Sequence, residues 1–207
     1  TAVTLYSSTS YFQYKMQPMG YEYDLINDFA KSQGLKLNIK VAENPARLIE
    51  MLEAGEVDVV AYPIPINNKL KQEVIYCGRE DISSQVLIQR ANKGDKLLTD
   101  VTQLIDKNVY VKPNTKYSER LKNLDEELGG GIHIQKVEND SIATEDLIEI
   151  VSLGEIPYTI SDDNTARLNK TYYWNINVDL KVSFPQRSSW VVRKSSPDLA
   201  KAIDEWA

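Results

Sequence analysis

The chain has one cysteine, Cys77, in 207 residues, so it can form no internal disulfide. Without a second thiol, Cys77 is expected to be a small buried side chain. Histidine also occurs once, as His133 beside Gly129-Gly130-Gly131. A single ring on an expected strand reads as structural, and it argues against relays that need a histidine beside a nucleophile. Neither a cysteine pair nor an H-E-x-x-H run is present, so no zinc site is expected. The glycine-rich phosphate loop and the G-x-S-x-G elbow are missing too. No cofactor and no metal are therefore expected. No apolar run reaches the roughly 18 residues that a membrane helix needs. Basic residues are in deficit, 24 Lys and Arg against 30 Asp and Glu for a formal charge of −6. With no basic stripe to offset phosphate repulsion, nucleic acid is not an expected partner.

What remains is an ordinary globular composition, 42% hydrophobic and 26% charged. The length suits one large domain or two lobes. Tyrosine is the outlying count, 12 against three Phe and three Trp. Its apolar ring and polar tip suit wet clefts.

Helix and strand patterns alternate along the chain. Residues 21–33, 45–54, 115–128, 144–153, 163–172 and 197–206 read as helices. Residues 3–6, 36–41, 57–62, 85–90, 109–111, 132–137, 158–161 and 190–193 read as strands. This order predicts an α/β fold with helices on both faces of mostly parallel sheets. One stretch repeats. Leu48 to Val57 (LIEMLEAGEV) resembles Leu147 to Ile156 (LIEIVSLGEI) at an offset of 99. Each is an amphipathic helix, a glycine stop, a glutamate and the start of a buried strand. The echo favours two lobes of similar topology. Their strands end at Tyr62-Pro63 and at Ser161-Asp162, and ligands of open α/β sheets bind beyond such carboxyl ends. Two carboxylate pairs, Asp162-Asp163 and Glu22 with Asp24, invite an acid–base reading. Neighbouring strand-end carboxylates point apart, however, and Asp24 falls in a first helical turn where negative charge is favoured anyway. No catalytic residue is expected.

Several segments together resemble the extracellular solute-binding proteins of family 3. Gly20-Tyr21-Glu22-Tyr23-Asp24-Leu25-Ile26 is similar to that family's glycine–aromatic–x–x–Asp–Leu run. Gly55-Glu56-Val57-Asp58-Val59-Val60-Ala61 is similar to its next signature. Val109-Tyr110-Val111-Lys112-Pro113-Asn114-Thr115 is similar to its turn into a helix. More narrowly, residues 154–162 and 190–206 resemble the solute-binding-like module that precedes the lysozyme-like domain of membrane-bound lytic murein transglycosylases.

The resemblance implies a two-lobed type II periplasmic-binding-protein-like fold, each lobe a mixed, mostly parallel sheet flanked by helices. The expected lobes are 1–90 plus 185–207 and 91–184, with a ligand cleft between them. The family holds an amino acid at both charged ends. Asp162 matches the ammonium-binding aspartate, and Asn114 and Thr115 match the carboxylate-binding turn. Tyr62 and Pro63 lie at the strand end of the first lobe. Tyr11 and Tyr21, with Tyr6 and Phe12, would supply an aromatic wall. One departure stands out: the position of the family's carboxylate-binding arginine carries Leu70, with Lys69, Lys71 and Arg47 nearby in sequence. Lysine lacks the bidentate fork, so a free amino acid suits the site less well than a short peptide or muropeptide.

The expected function is non-catalytic ligand binding by a periplasmic monomer, tethered at the outer membrane or as a lipoprotein. Its partner would be a C-terminal lysozyme-like domain, since the chain stops inside its last expected helix. The alternative is a free-standing amino-acid-binding protein that serves a membrane ABC transporter.

Overall fold

A computed structural model describes residues 1–7 and 10–207. The chain divides into two units, Thr1–Ile82 with Gln186–Ala207, and Ser83–Pro185. The first unit begins with β1 (Ala2–Thr4), a hairpin of β2 (Phe12–Tyr14) and β3 (Gln17–Met19), and α1 (Tyr21–Ser32). It continues through β4 (Ile39–Val41), α2 (Pro45–Glu53), β5 (Val59–Pro65), the short α3 (Asn68–Lys71) and β6 (Val74–Ser83). The second unit contains β7 (Gln85–Arg90), β8 (Asn108–Val111), α4 (Lys116–Glu127) and β9 (His133–Lys136). It ends with α5 (Thr144–Ser152), β10 (Tyr158–Asp162), α6 (Asp163–Lys170) and the two-residue β11 (Ile176–Asn177). The chain then returns to the first unit as β12 (Gln186–Arg193) and α7 (Pro197–Trp206).

The expected α/β architecture is present, and the two sheets share a plan. The first is ordered β4-β1-β5-β12-β6 and the second β11-β7-β10-β8-β9. In the first, β4, β1 and β5 are parallel and β12 joins β5 antiparallel. In the second, β9, β8 and β10 are parallel and β7 joins β10 antiparallel. Both sheets are thus mixed, as expected, with the antiparallel partners β12 and β7 beside the parallel strands. Direction cannot be read from an apolar run, because a buried antiparallel strand and a buried parallel one have the same composition. The same ambiguity affects β7. Residues 85–90, assigned by sequence to the first lobe, lie wholly within the second unit's sheet, with Asp162 opposite Gln85 and Tyr158 opposite Gln89.

The repeat at offset 99 is a shared helix ending. Gly55 N–H donates to Leu52 O and Glu56 N–H to Met51 O. Gly154 N–H likewise donates to Val151 O and Glu155 N–H to Ile150 O. Both are Schellman closures, which need a left-handed residue after the cap. Gly55 and Gly154 supply it with φ of 78° and 77°. The hairpin β2–β3 escaped sequence reading because Lys15 and Met16 turn it with φ of 50° and 64°. Neither residue gives the usual Asn-Gly signal for such a turn.

Alternation along the central strands feeds both faces of each sheet. In the first unit Ala2, Val59, Ala61, Trp190 and Val192 pack with Ile26 and Phe29 of α1 and Ile203 of α7. Their neighbours Val3, Val60 and Val191 pack with Leu48 and Leu52 of α2. In the second unit Leu87 packs with Leu121 and Leu124 of α4, while Val86 and Ile88 pack with Ile148 and Val151 of α5. Cys77 sits in the first of these clusters, and burial pushes its thiol up to about 12. It is an inert apolar side chain, in keeping with the sequence expectation.

One charged group is folded into the first core. Glu22, in the first turn of α1, is 5% exposed and accepts a 2.6 Å hydrogen bond from Trp190 Nε1. Trp190 stacks on Trp206 at 6.3 Å. Trp206 in turn meets Phe29 edge-on and donates to Asp28. Burial lifts the Glu22 carboxyl from 4.5 to about 7; the Trp190 bond opposes the rise and the Asp81 charge adds to it. The folded state therefore binds this proton more tightly than the unfolded chain does. Its contribution to stability is intact below about pH 4.5 and is lost as pH rises towards 7, amounting to about 3 kcal/mol. Glu22→Gln keeps an acceptor for Trp190 and removes the charge. It should raise the melting temperature at pH 8 and change it little at pH 4.5, as measured by thermal denaturation across that range.

Candidate functional site

The second unit brings three sequence-predicted residues to one edge. Because β8 and β10 are parallel neighbours, α4 and α6 both start at the carboxyl edge of the sheet. The turn into α4 passes through Asn114, whose φ of 58° lies in the left-handed region that asparagine tolerates. Thr115 is the N-cap of α4: its hydroxyl accepts from Ser118 N–H at 3.2 Å and donates to Lys112 O at 2.8 Å. Ser118 Oγ reciprocates by accepting from Thr115 N–H. Thr115 is thus fully engaged as a cap, leaving the helix dipole rather than a free hydroxyl to meet a ligand.

Asp162 is the N-cap residue of α6 but makes no side-chain capping bond. Its carboxylate instead accepts from Lys116 Nζ at 2.6 Å, with the two side chains 21% and 27% exposed. Beside it, Asp163 N–H donates to Ser84 O and Asp163 pairs loosely with Arg167 at 3.8 Å. Two buried acceptors in this stretch, Asp163 Oδ1 and Gln85 Oε1, have no hydrogen-bond partner. Lys112 is held by Asn139 O at 2.6 Å.

In the first unit the predicted residues fall in separate surroundings. Tyr62 and Pro63 are half-buried on β5, which runs on to Pro65. The register of β1 with β5 ends at Val60, so Pro63 and Pro65 lie where that edge needs no N–H donors. Tyr11 is 4% exposed, its ring centroid 5.4 Å from Tyr6 and 5.6 Å from Tyr23. Tyr21 is 46% exposed, and its hydroxyl accepts from Arg79 at 3.1 Å. With Glu22, Arg79, Asp81, Trp190 and Trp206 it lines a pocket of about 200 Å³. Leu70 packs against the α2 side of the core, so the expected arginine position serves packing. Arg47 contacts Glu50 at 3.4 Å and Glu56 at 3.3 Å.

Sequence reading missed Lys116 and the Glu22–Trp190 pair. A signal for the former existed, because a lysine at the first position of a helix opposes the dipole unless a carboxylate meets it.

Residues 3–207 match the family of bacterial extracellular solute-binding proteins, family 3. The chain belongs to this family. Among curated relatives, the membrane-bound lytic murein transglycosylase F of Desulfosudis oleivorans is 31% identical over 204 residues, covering 97% of this chain and 43% of that protein. The protein of the same name from Pseudomonas fluorescens is 27% identical, covering 92% of this chain and 38% of its own length. The chain thus spans about two fifths of these relatives. Among solved structures, a mutant of arginine-bound ArgBP from T. maritima superposes with a TM-score of 0.81 at 21% identity, covering 99% of this chain and 92% of that one. A putative L-cystine ABC transporter protein from Listeria monocytogenes gives 0.79 at 21% identity, covering 99% and 86%. Such structures establish the two-lobed solute-binding fold. No helix among the described residues is long and apolar enough to cross a membrane.

The Thr115 cap holds the first turn of α4. Thr115→Ala should lower the stability of the second unit by about 1 kcal/mol. Hydrogen exchange should locate the loss in the first turn of α4.

Proposed function

We propose that the chain is a non-catalytic sensor module that binds an amino acid, short peptide or muropeptide and regulates a lytic transglycosylase domain in a longer protein. The observation that carries this reading is the second unit's strand edge, where Asp162, Lys116 and the start of α4 bring charge and a helix dipole together. Family membership and the names of the curated relatives support it. Asn114 and Thr115 shape the turn, and Tyr62, Pro63, Tyr11 and Tyr21 are the first unit's proposed contributors. The module is proposed to work as a monomer in the periplasm, tethered at the outer membrane or as a lipoprotein. A second reading, a free-standing binding protein of an ABC transporter, draws on structurally similar proteins described as parts of such transporters.

Calorimetry with amino acids, stem peptides and muropeptides tests the binding. At least one should bind. Asp162→Ala should change its Kd by about tenfold or more, because a partly buried charge is left without its counterpart. The change is towards weaker binding for a ligand presenting an ammonium here and tighter binding for one presenting a carboxylate. Absence of binding, or an unchanged Kd, overturns the site.

A further inference from the structure

Asp162 is where the resemblance would put a ligand's ammonium, and the structure already has an ammonium there. Lys116 Nζ lies 2.6 Å from Asp162 Oδ2, with both groups largely withdrawn from water. The lysine is held from below as well, its Nζ lying 5.5 Å from the centre of the Tyr117 ring. It stands at the first position of α4, where only a facing carboxylate makes a cation favourable. An incoming ammonium must either displace Lys116 from this contact or sit beside it as a like charge, and both are costly. A carboxylate meets the opposite situation. Lys116 and the positive end of the α4 dipole both favour it. Around this pair, Asp163 pairs loosely with Arg167 at 3.8 Å and keeps one buried oxygen without a hydrogen-bond partner, while Lys112 adds positive charge and is hydrogen-bonded to Asn139 O.

We propose that Lys116 is a specificity-determining residue of this site: by satisfying Asp162 itself, it selects ligands whose amino group is acylated and whose carboxylate is free. The ligand class is then an N-acyl amino acid or N-acylated peptide, in preference to a free amino acid. The inference rests on the reading that this edge binds a ligand, and it specifies which kind.

The test measures the common amino acids and their N-acetyl derivatives by calorimetry against the wild type and Lys116→Met. Methionine keeps the apolar stem and removes the charge, and circular dichroism checks that the variant folds. Wild type should bind the acetylated member of at least one pair about tenfold or more tightly, and Lys116→Met should shift that ratio towards the free amine by about tenfold or more. A wild-type preference for free amines, or an unchanged ratio in the variant, overturns the role of Lys116 while leaving the binding reading intact. If neither protein binds any member of the panel, this inference falls, while the binding reading stands or falls with the stem peptides and muropeptides.

Discussion

The first unit depends on a strand that arrives last. β5 is the middle of its sheet, and its backbone groups need partners on both edges. β1 supplies one edge only as far as Val60. The other edge is supplied by β12, more than 120 residues later in the chain, with Ser188 opposite Pro65 and Val192 opposite Val59. β12 also carries Trp190, Val191 and Val192, which alternate into the two cores on opposite faces. The same strand holds the Trp190–Glu22 bond and the stack on Trp206. Backbone pairing, core packing and the buried carboxyl therefore all rest on one long-range return of the chain.

The second unit solves the same problem with β7. Its antiparallel contact to β10 completes the central strand, and Val86, Leu87 and Ile88 alternate into the two cores there. In both units the parallel strands are consequently free to end at one edge, followed by helix starts. The second unit's proposed ligand-binding residues lie at that edge, where the dipoles of α4 and α6 and the strand-end side chains converge. Lys116 and Asp162 come from different helix starts, 46 residues apart, and meet only because β8 and β10 are neighbours.

Much of this was legible in the sequence. Helix stops at Gly55 and Gly154, the proline start of α2 and the offset of 99 are local signals. They mark the ends of elements closely, because left-handed closure and proline's fixed φ act within a few residues. Leu70 at the expected arginine position was legible too, and its packing against the α2 side of the core agrees with an apolar role. The hairpin turned by Lys15 and Met16 was not legible, nor was β6, whose Arg79, Glu80 and Asp81 break the pattern of a buried strand.

The sequence by itself marked most of the helices and the central strands, limited the chain to one thiol and one imidazole, and carried the family's motifs. These follow from local periodicity, composition and short motifs. Tertiary structure alone decided which strands run antiparallel and in which unit β7 lies, since direction and partner leave no mark on a buried apolar run. It also decided that Glu22 would be buried under Trp190 and that Asp162 would be met by Lys116. A charge acquires its environment from whatever the fold packs against it, and both partners come from distant parts of the chain.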